Sequence, residues 1–137
     1  MDKVRFWEDL METQSYHQQG IRKSISRRHE IFVRKVIMVI YQHLDIHLLD
    51  VSLIADHLCL SVSQLNRKLN TILDLPAGHL IRQIRMQEAA TFLTHDMAPV
   101  GEIAWKVGYK NHANFCRSFK QYYGCTPTEY THLQVSR

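Results

Sequence analysis

A chain of 137 residues sets the expectation of one domain, and 45% apolar residues suffice to bury a core, which excludes wholesale disorder. Five glycines and three prolines are too few for the turn every ~8–12 residues that an all-β fold needs, so the composition points to helices. The net charge of +4 suits a polyanionic partner but is also ordinary for a soluble surface.

Residues 1–28 are polar and weakly amphipathic, with a short stripe of Phe6, Trp7, Leu10 and Met11. The end of this stretch is basic (Arg22, Lys23, Arg27, Arg28) and reads as a solvated connector or, alternatively, as an arm that touches phosphates. From Glu30 the pattern tightens. Phe32, Val33, Val36, Ile37, Ile40, Tyr41 and Leu44 mark an amphipathic helix that ends near 43–45. Asp50 is a suitable N-cap for a short helix over 51–58. Ser61-Val62-Ser63-Gln64 is a capping box that opens another helix, with Leu65, Leu69 and Ile72 facing inward. Pro76 and Gly78 open a long helix, about 79–94. Pro99 opens a short helix over 100–107, and Gly108 suits a left-handed end. Asn111 caps the next helix, which buries Phe115, Phe119 and Tyr122 and stops at Gly124. Pro127 sits early in a last short helix carrying Tyr130.

These elements contain a repeat. Val51, Ile54, Ala55 and Leu58 match Val100, Ile103, Ala104 and Val107 at an offset of 49. Leu65, Arg67 and Leu69 match Phe115, Arg117 and Phe119 at an offset of 50, and Asp74 matches Gly124. Each block is a short helix, a tight turn and a second helix, the helix-turn-helix plan. Ala55 and Ala104 allow the close approach that a steep crossing needs.

The outward faces carry the chemistry. With Leu65, Leu69 and Ile72 inside, the opposite stripe is Ser63, Asn66, Arg67 and Asn70. Arg can chelate guanine O6/N7 and Asn adenine N6/N7. In the second block the stripe is Ala113, Cys116, Arg117 and Lys120, with Asn111 and His112 at the helix start. From Ile103 to Tyr123 there are four basic residues (Lys106, Lys110, Arg117, Lys120) and no acidic one, a local surface for phosphate. Residues 1–50, 51–99 and 100–137 carry net charges of +1, 0 and +3, so the second block should hold more of the backbone anchoring.

The stretch from Ile103 to Tyr130 closely resembles the signature of AraC/XylS-type transcription regulators. The matching features are Ile103-Ala104, Gly108-Tyr109, Asn111, Phe115, Arg117, Phe119-Lys120, Gly124, Thr126-Pro127 and Tyr130. The upstream block is similar to that family's first helix-turn-helix, and the resemblance covers about residues 30–132. It implies an all-α domain of about seven helices. A first unit at about 30–75 and a second at about 99–132 are joined by a connecting helix at about 79–94, with a connector over 1–28. It implies that each second helix enters a major groove and that the two grooves are consecutive, roughly 34 Å apart. Base-reading positions carry over to Ser63, Asn66 and Arg67, and to His112, Ala113, Cys116 and Arg117. Ser61, Gln64, Asn111 and Lys120 complete the expected DNA-binding set. Four positions depart from the family pattern, among them Pro99, which stands where a Ser or Thr cap is common. Asp74 stands where Gly is common, Ala77 where Pro is common, and Pro76 holds its proline one place early. These touch helix starts and ends, not the outward faces.

The implied partner is double-stranded DNA, with RNA polymerase as a second partner and dimerisation through a sensory domain outside this chain. The alternative is a helical interaction module with only non-specific DNA affinity. No enzyme or cofactor is expected. His43 and His47 lack a third metal ligand, no glycine-rich phosphate loop or paired-carboxylate motif occurs, and no motif supports a catalytic Cys-His pair. Cys59 is expected to be a small packed residue. Cys116 is read either as a base contact or as a neutral exposed thiol. Trp105 and Tyr109 are expected to pack. Three cysteines without a CxxC pair fit a reducing cytoplasm. The longest uncharged apolar run, Val36 to Leu44, is far short of the ~20 residues of a membrane span, so no membrane contact is expected.

Overall fold

The computed structural model describes residues 27–95 and 98–135. The expected stripe of Phe6, Trp7, Leu10 and Met11 therefore lies outside the described residues, as does most of the connector. Among the described residues the chain forms seven α-helices and no strand: α1 (Arg27–Gln42), α2 (Val51–His57), α3 (Val62–Leu73), α4 (Ala77–His95), α5 (Val100–Lys106), α6 (His112–Tyr123) and α7 (Pro127–Val135). Arg27 and Arg28, read as the end of the connector, form the first turn of α1.

The described residues divide into two units. The first comprises 27–42 and 50–80. Here α1 packs on α2, and α2 on α3. Val33, Val36, Ile40, Ile54, Ala55, Leu65, Leu69 and Leu73 are buried. Leu73 holds the core place expected for Ile72, which is half-buried. An ideal helix puts positions 72 and 73 on either flank of the stripe set by 65 and 69, so the local pattern does not separate them. Asp74 ends α3 with φ 57°, and its N–H bonds the Asn70 carbonyl. The left-handed conformation that suits Gly is thus kept by an Asp, a residue that adopts it more readily than most.

The second unit comprises 43–49 and 81 onward. Segment 43–49 groups here through backbone contacts. Arg85 Nη2 donates to the Ile46 carbonyl at 2.9 Å, and Gly108 closes against the Leu44 carbonyl. The core is Met86, Ala89, Ala90, Leu93, Ile103, Ala104, Val107, Phe115 and Phe119, with Phe92, Tyr109, Cys116, Tyr123 and Tyr130 packed against it. Phe119 centres an aromatic cluster, its ring 5.9 Å from Phe115, 4.7 Å from Tyr123 and 5.5 Å from Tyr130. Tyr123 takes the inward place expected for Tyr122, the same one-step difference as in α3.

Two further expectations are corrected. Cys59 is exposed, not packed, because it occupies the left-handed turn after α2 with φ 57°. Trp105 is 64% exposed on α5, since Ile103, Ala104 and Val107 fill the inward stripe around it. Tyr109 does pack, edge-on to Phe115 at 5.5 Å.

Candidate nucleic-acid interface

In the first unit, local hydrogen bonds fix where each helix begins. Asp50 accepts the Leu53 N–H at 2.9 Å and caps α2. Ser61 Oγ accepts the Gln64 N–H at 3.1 Å, and Gln64 Oε1 accepts the Ser61 N–H at 2.9 Å. This closed capping box places the N-cap of α3, Ser61, three residues after Leu58. It also commits an oxygen of each side chain, so Ser61 Oγ offers its proton and Gln64 its Nε2 amide protons to any outside acceptor.

Ser63, Arg67 and Asn70 are exposed on α3. Asn66 is not on that open stripe. It is half-buried on the flank, and its Oδ1 accepts the Ala77 N–H at 3.0 Å. Lys68 lies beyond the other edge, with Nζ 5.2 Å from the Phe32 ring centroid.

In the second unit Pro99 precedes α5 without a side-chain cap, and Asn111 caps α6 by accepting the Asn114 N–H at 3.1 Å. His112, Ala113, Arg117 and Lys120 are exposed. Arg117 Nη2 donates to Asn114 Oδ1, which sets the guanidinium along the helix face. Asn114 is absent from the sequence-derived set, although its place three residues from both Asn111 and Arg117 was a usable signal. Cys116 is half-buried against the core, and burial pushes its thiol pKa up.

Polar ties from α4 hold α6. Arg82 Nη2 donates to Gln121 Oε1 at 2.8 Å and lies 3.5 Å from the Ser118 carbonyl. The Tyr123 hydroxyl donates to the Met86 carbonyl at 3.3 Å. Its pKa is raised well above the usual phenol range, first by burial and then by Tyr122 and Tyr130. Lys106 and Lys110 are exposed beside this unit's second helix, with Lys106 Nζ 5.2 Å from the Phe92 ring centroid.

Neither α3 nor α6 contains a carboxylate. Each instead exposes an arginine at the same place in the repeat, Arg67 and Arg117. Such a face can donate to base edges and phosphates without paying electrostatic repulsion. Among the described residues no group of three or more His, Cys, Asp or Glu side chains could hold a metal ion, and no helix is long and apolar enough to cross a membrane.

Comparison with known proteins agrees with this geometry. A family described as "Helix-turn-helix domain" matches residues 54–132, more than half of the chain. The regulatory protein SoxS of Escherichia coli K12 is 30% identical over 104 residues, covering 76% of this chain and 96% of SoxS. The chain belongs to the AraC/XylS-type helix-turn-helix family. It is a DNA-binding domain of the transcription-regulator type, a family that is not a class of enzymes.

Other AraC-type relatives bear on its extent. The arabinose operon regulatory protein of Escherichia coli K12 is 26% identical over 112 residues, covering 82% of this chain. The chain spans 38% of that regulator's length and 18% of an uncharacterized regulator of Haemophilus influenzae. Among solved structures, the C-terminal domain of AraT, a response regulator from Geobacillus stearothermophilus, superposes with a TM-score of 0.71 at 30% identity, covering 84% of this chain and 89% of that one.

Proposed function

We propose that this AraC-type domain reads a specific DNA site through its two units. The second helix of each, α3 and α6, enters one of two consecutive major grooves. The observation that carries the reading is the paired exposure of Arg67 and Arg117 on carboxylate-free helices at equivalent places in a duplicated unit. Arg67, with Ser63 and Asn70 beside it, contacts base edges in one groove. Arg117, oriented by Asn114, does so in the other, flanked by His112 and Ala113. Lys106, Lys110 and Lys120 anchor phosphates next to the second helix. The setting is the bacterial cytoplasm. RNA polymerase is the partner through which binding acts, and a sensory region of a longer regulator supplies dimerisation.

Selection of bound sequences from random duplex DNA at physiological salt tests this. The expected site is two short blocks about 10 bp apart, one helical turn. Arg67→Ala should relax one block and Arg117→Ala the other, each losing ~1–3 kcal/mol of base discrimination. If both variants lower affinity equally on all DNA, the base-reading assignment fails.

A further inference from the structure

Asn66 lies at a position where the AraC-type pattern implies base reading, yet its geometry is that of a fastener. Its Oδ1 accepts the N–H of Ala77, the first residue of α4, at 3.0 Å across 11 residues of the first unit. The first N–H groups of a helix have no intrahelical partner, and Ala77 is fully buried. The residue before it is Pro76, which has no side-chain acceptor to offer. The Pro76 carbonyl serves the N–H groups of His79 and Leu80; sharing one peptide bond with the Ala77 N–H, it cannot accept from that group.

The second unit shows what happens when this need disappears. At an offset of 50, Asn66, Pro76 and Ala77 become Cys116, Thr126 and Pro127. Pro127 has no N–H to satisfy. Thr126 caps its helix in place, accepting the Glu129 N–H at 3.2 Å, with its hydroxyl 3.1 Å from the Glu129 carboxylate. Cys116, correspondingly, brings no strong acceptor. The side chain on the second helix and the two residues at the next helix start thus change together, in the direction that backbone hydrogen bonding requires.

The same bond turns the group that adenine recognition needs toward the start of α4 and away from the open stripe. Bidentate readout of adenine uses the amide oxygen to accept from N6 and the amide nitrogen to donate to N7. In Asn66 that oxygen faces the Ala77 N–H instead. We infer that Asn66 is a positioning residue: it fastens α3 to the start of α4, and it does not read a base. Within the proposed DNA-reading function, on which this assignment rests for its consequence, selectivity in the first block then comes from Arg67, Ser63 and Asn70.

The test is a mutational cycle on the full chain. Asn66→Ala should lower Tm by about 4 °C or more, the scale of one lost buried hydrogen bond in a domain of this size. It should also speed hydrogen exchange at the Ala77 amide. Asn66→Asp retains an acceptor and should restore both values. In a Pro76→Thr, Ala77→Pro background, which copies the second unit, Asn66→Ala should leave Tm unchanged. An equal loss in both backgrounds overturns the assignment. If that background does not fold, Asn66→Asp decides: a Tm and an Ala77 exchange rate as poor as those of Asn66→Ala overturn it. In site selection, Asn66→Asp should weaken all sequences alike and keep every preferred base; a changed base at one position also overturns it. If even the unmodified chain selects no site, the proposed function fails while the stability cycle still decides the role of Asn66.

Discussion

The Arg85 guanidinium donates to the Ile46 carbonyl at 2.9 Å while lying 5.7 Å from the centroid of the Tyr109 ring. One planar cation thereby holds segment 43–49 and the turn after α5 within the second unit. Burial lowers the Arg85 pKa from its ordinary value, and Tyr109 partly offsets this, so the side chain is held where loss of its partners is costly. Lysine carries the charge but not the fork or the flat face. Arg85→Lys should therefore cost about 1–2 kcal/mol in urea denaturation. An unchanged midpoint and slope would show that the charge alone suffices.

Gly108 and Gly124 both adopt left-handed φ, 89° and 81°, but their surroundings differ. A Cβ on Gly124 meets nothing within 4 Å, so Gly124→Ala should cost only the conformational penalty of about 1–2 kcal/mol. A Cβ on Gly108 would collide with the Leu44 carbonyl oxygen and stand 2.7 Å from Arg85 Nη2. The carbonyl belongs to backbone and cannot swing aside. Gly108→Ala should cost about 3 kcal/mol or more. Denaturation midpoints of the two variants side by side check this, and equal losses would sink the packing argument.

This contrast shows what the sequence can and cannot convey. Helix starts were legible wherever a side chain caps locally, as at Asp50, Ser61 and Asn111, because the acceptor and the N–H it serves lie three residues apart. The repeat was legible because both units solve one packing problem with Ala55 and Ala104. Features that depend on distant partners were not. The grouping of 43–49 with the second unit rests on Arg85 and Gly108, some 40 to 60 residues away. The choice of Leu73 over Ile72, and of Tyr123 over Tyr122, is made by the neighbouring core. For the candidate interface, the exposed Arg67 and Arg117 follow from helical periodicity. The diversion of Asn66 does not, since it requires knowing that Ala77 comes to rest beside it.

Two of the cysteines, Cys59 and Cys116, should react unequally. Cys59 is exposed, whereas Cys116 is half-buried with its thiol pKa pushed up by desolvation. A raised pKa means less thiolate at a given pH, and the thiolate is the nucleophile. At pH 8, iodoacetamide should label Cys59 several-fold faster than Cys116, as read by mass spectrometry of peptides over time. Raising the pH should increase the Cys116 rate. Labelling of Cys116 first would mean that its side chain is more open than the packing against Phe115 and Phe119 allows.

Lys120 and Arg117 lie three residues apart on α6, both exposed, yet they should fail in different ways. Lysine presents a compact point charge, which suits a phosphate; arginine presents a fork, which suits the O6/N7 edge of guanine. Each neutralised phosphate releases condensed counterion, so the slope of log K against log salt counts such contacts. Lys120→Ala should weaken binding to specific and scrambled duplexes by the same factor and reduce that slope by about 1. Arg117→Ala should lower affinity for the selected site more than for scrambled DNA, because a base edge is lost together with a charge. Fluorescence anisotropy titrations of both variants on both duplexes at several salt concentrations separate the two roles. If Lys120→Ala shifts base preference, α6 sits in the groove with a rotation that brings Lys120 onto the bases, and Arg117 would then be the residue facing phosphate.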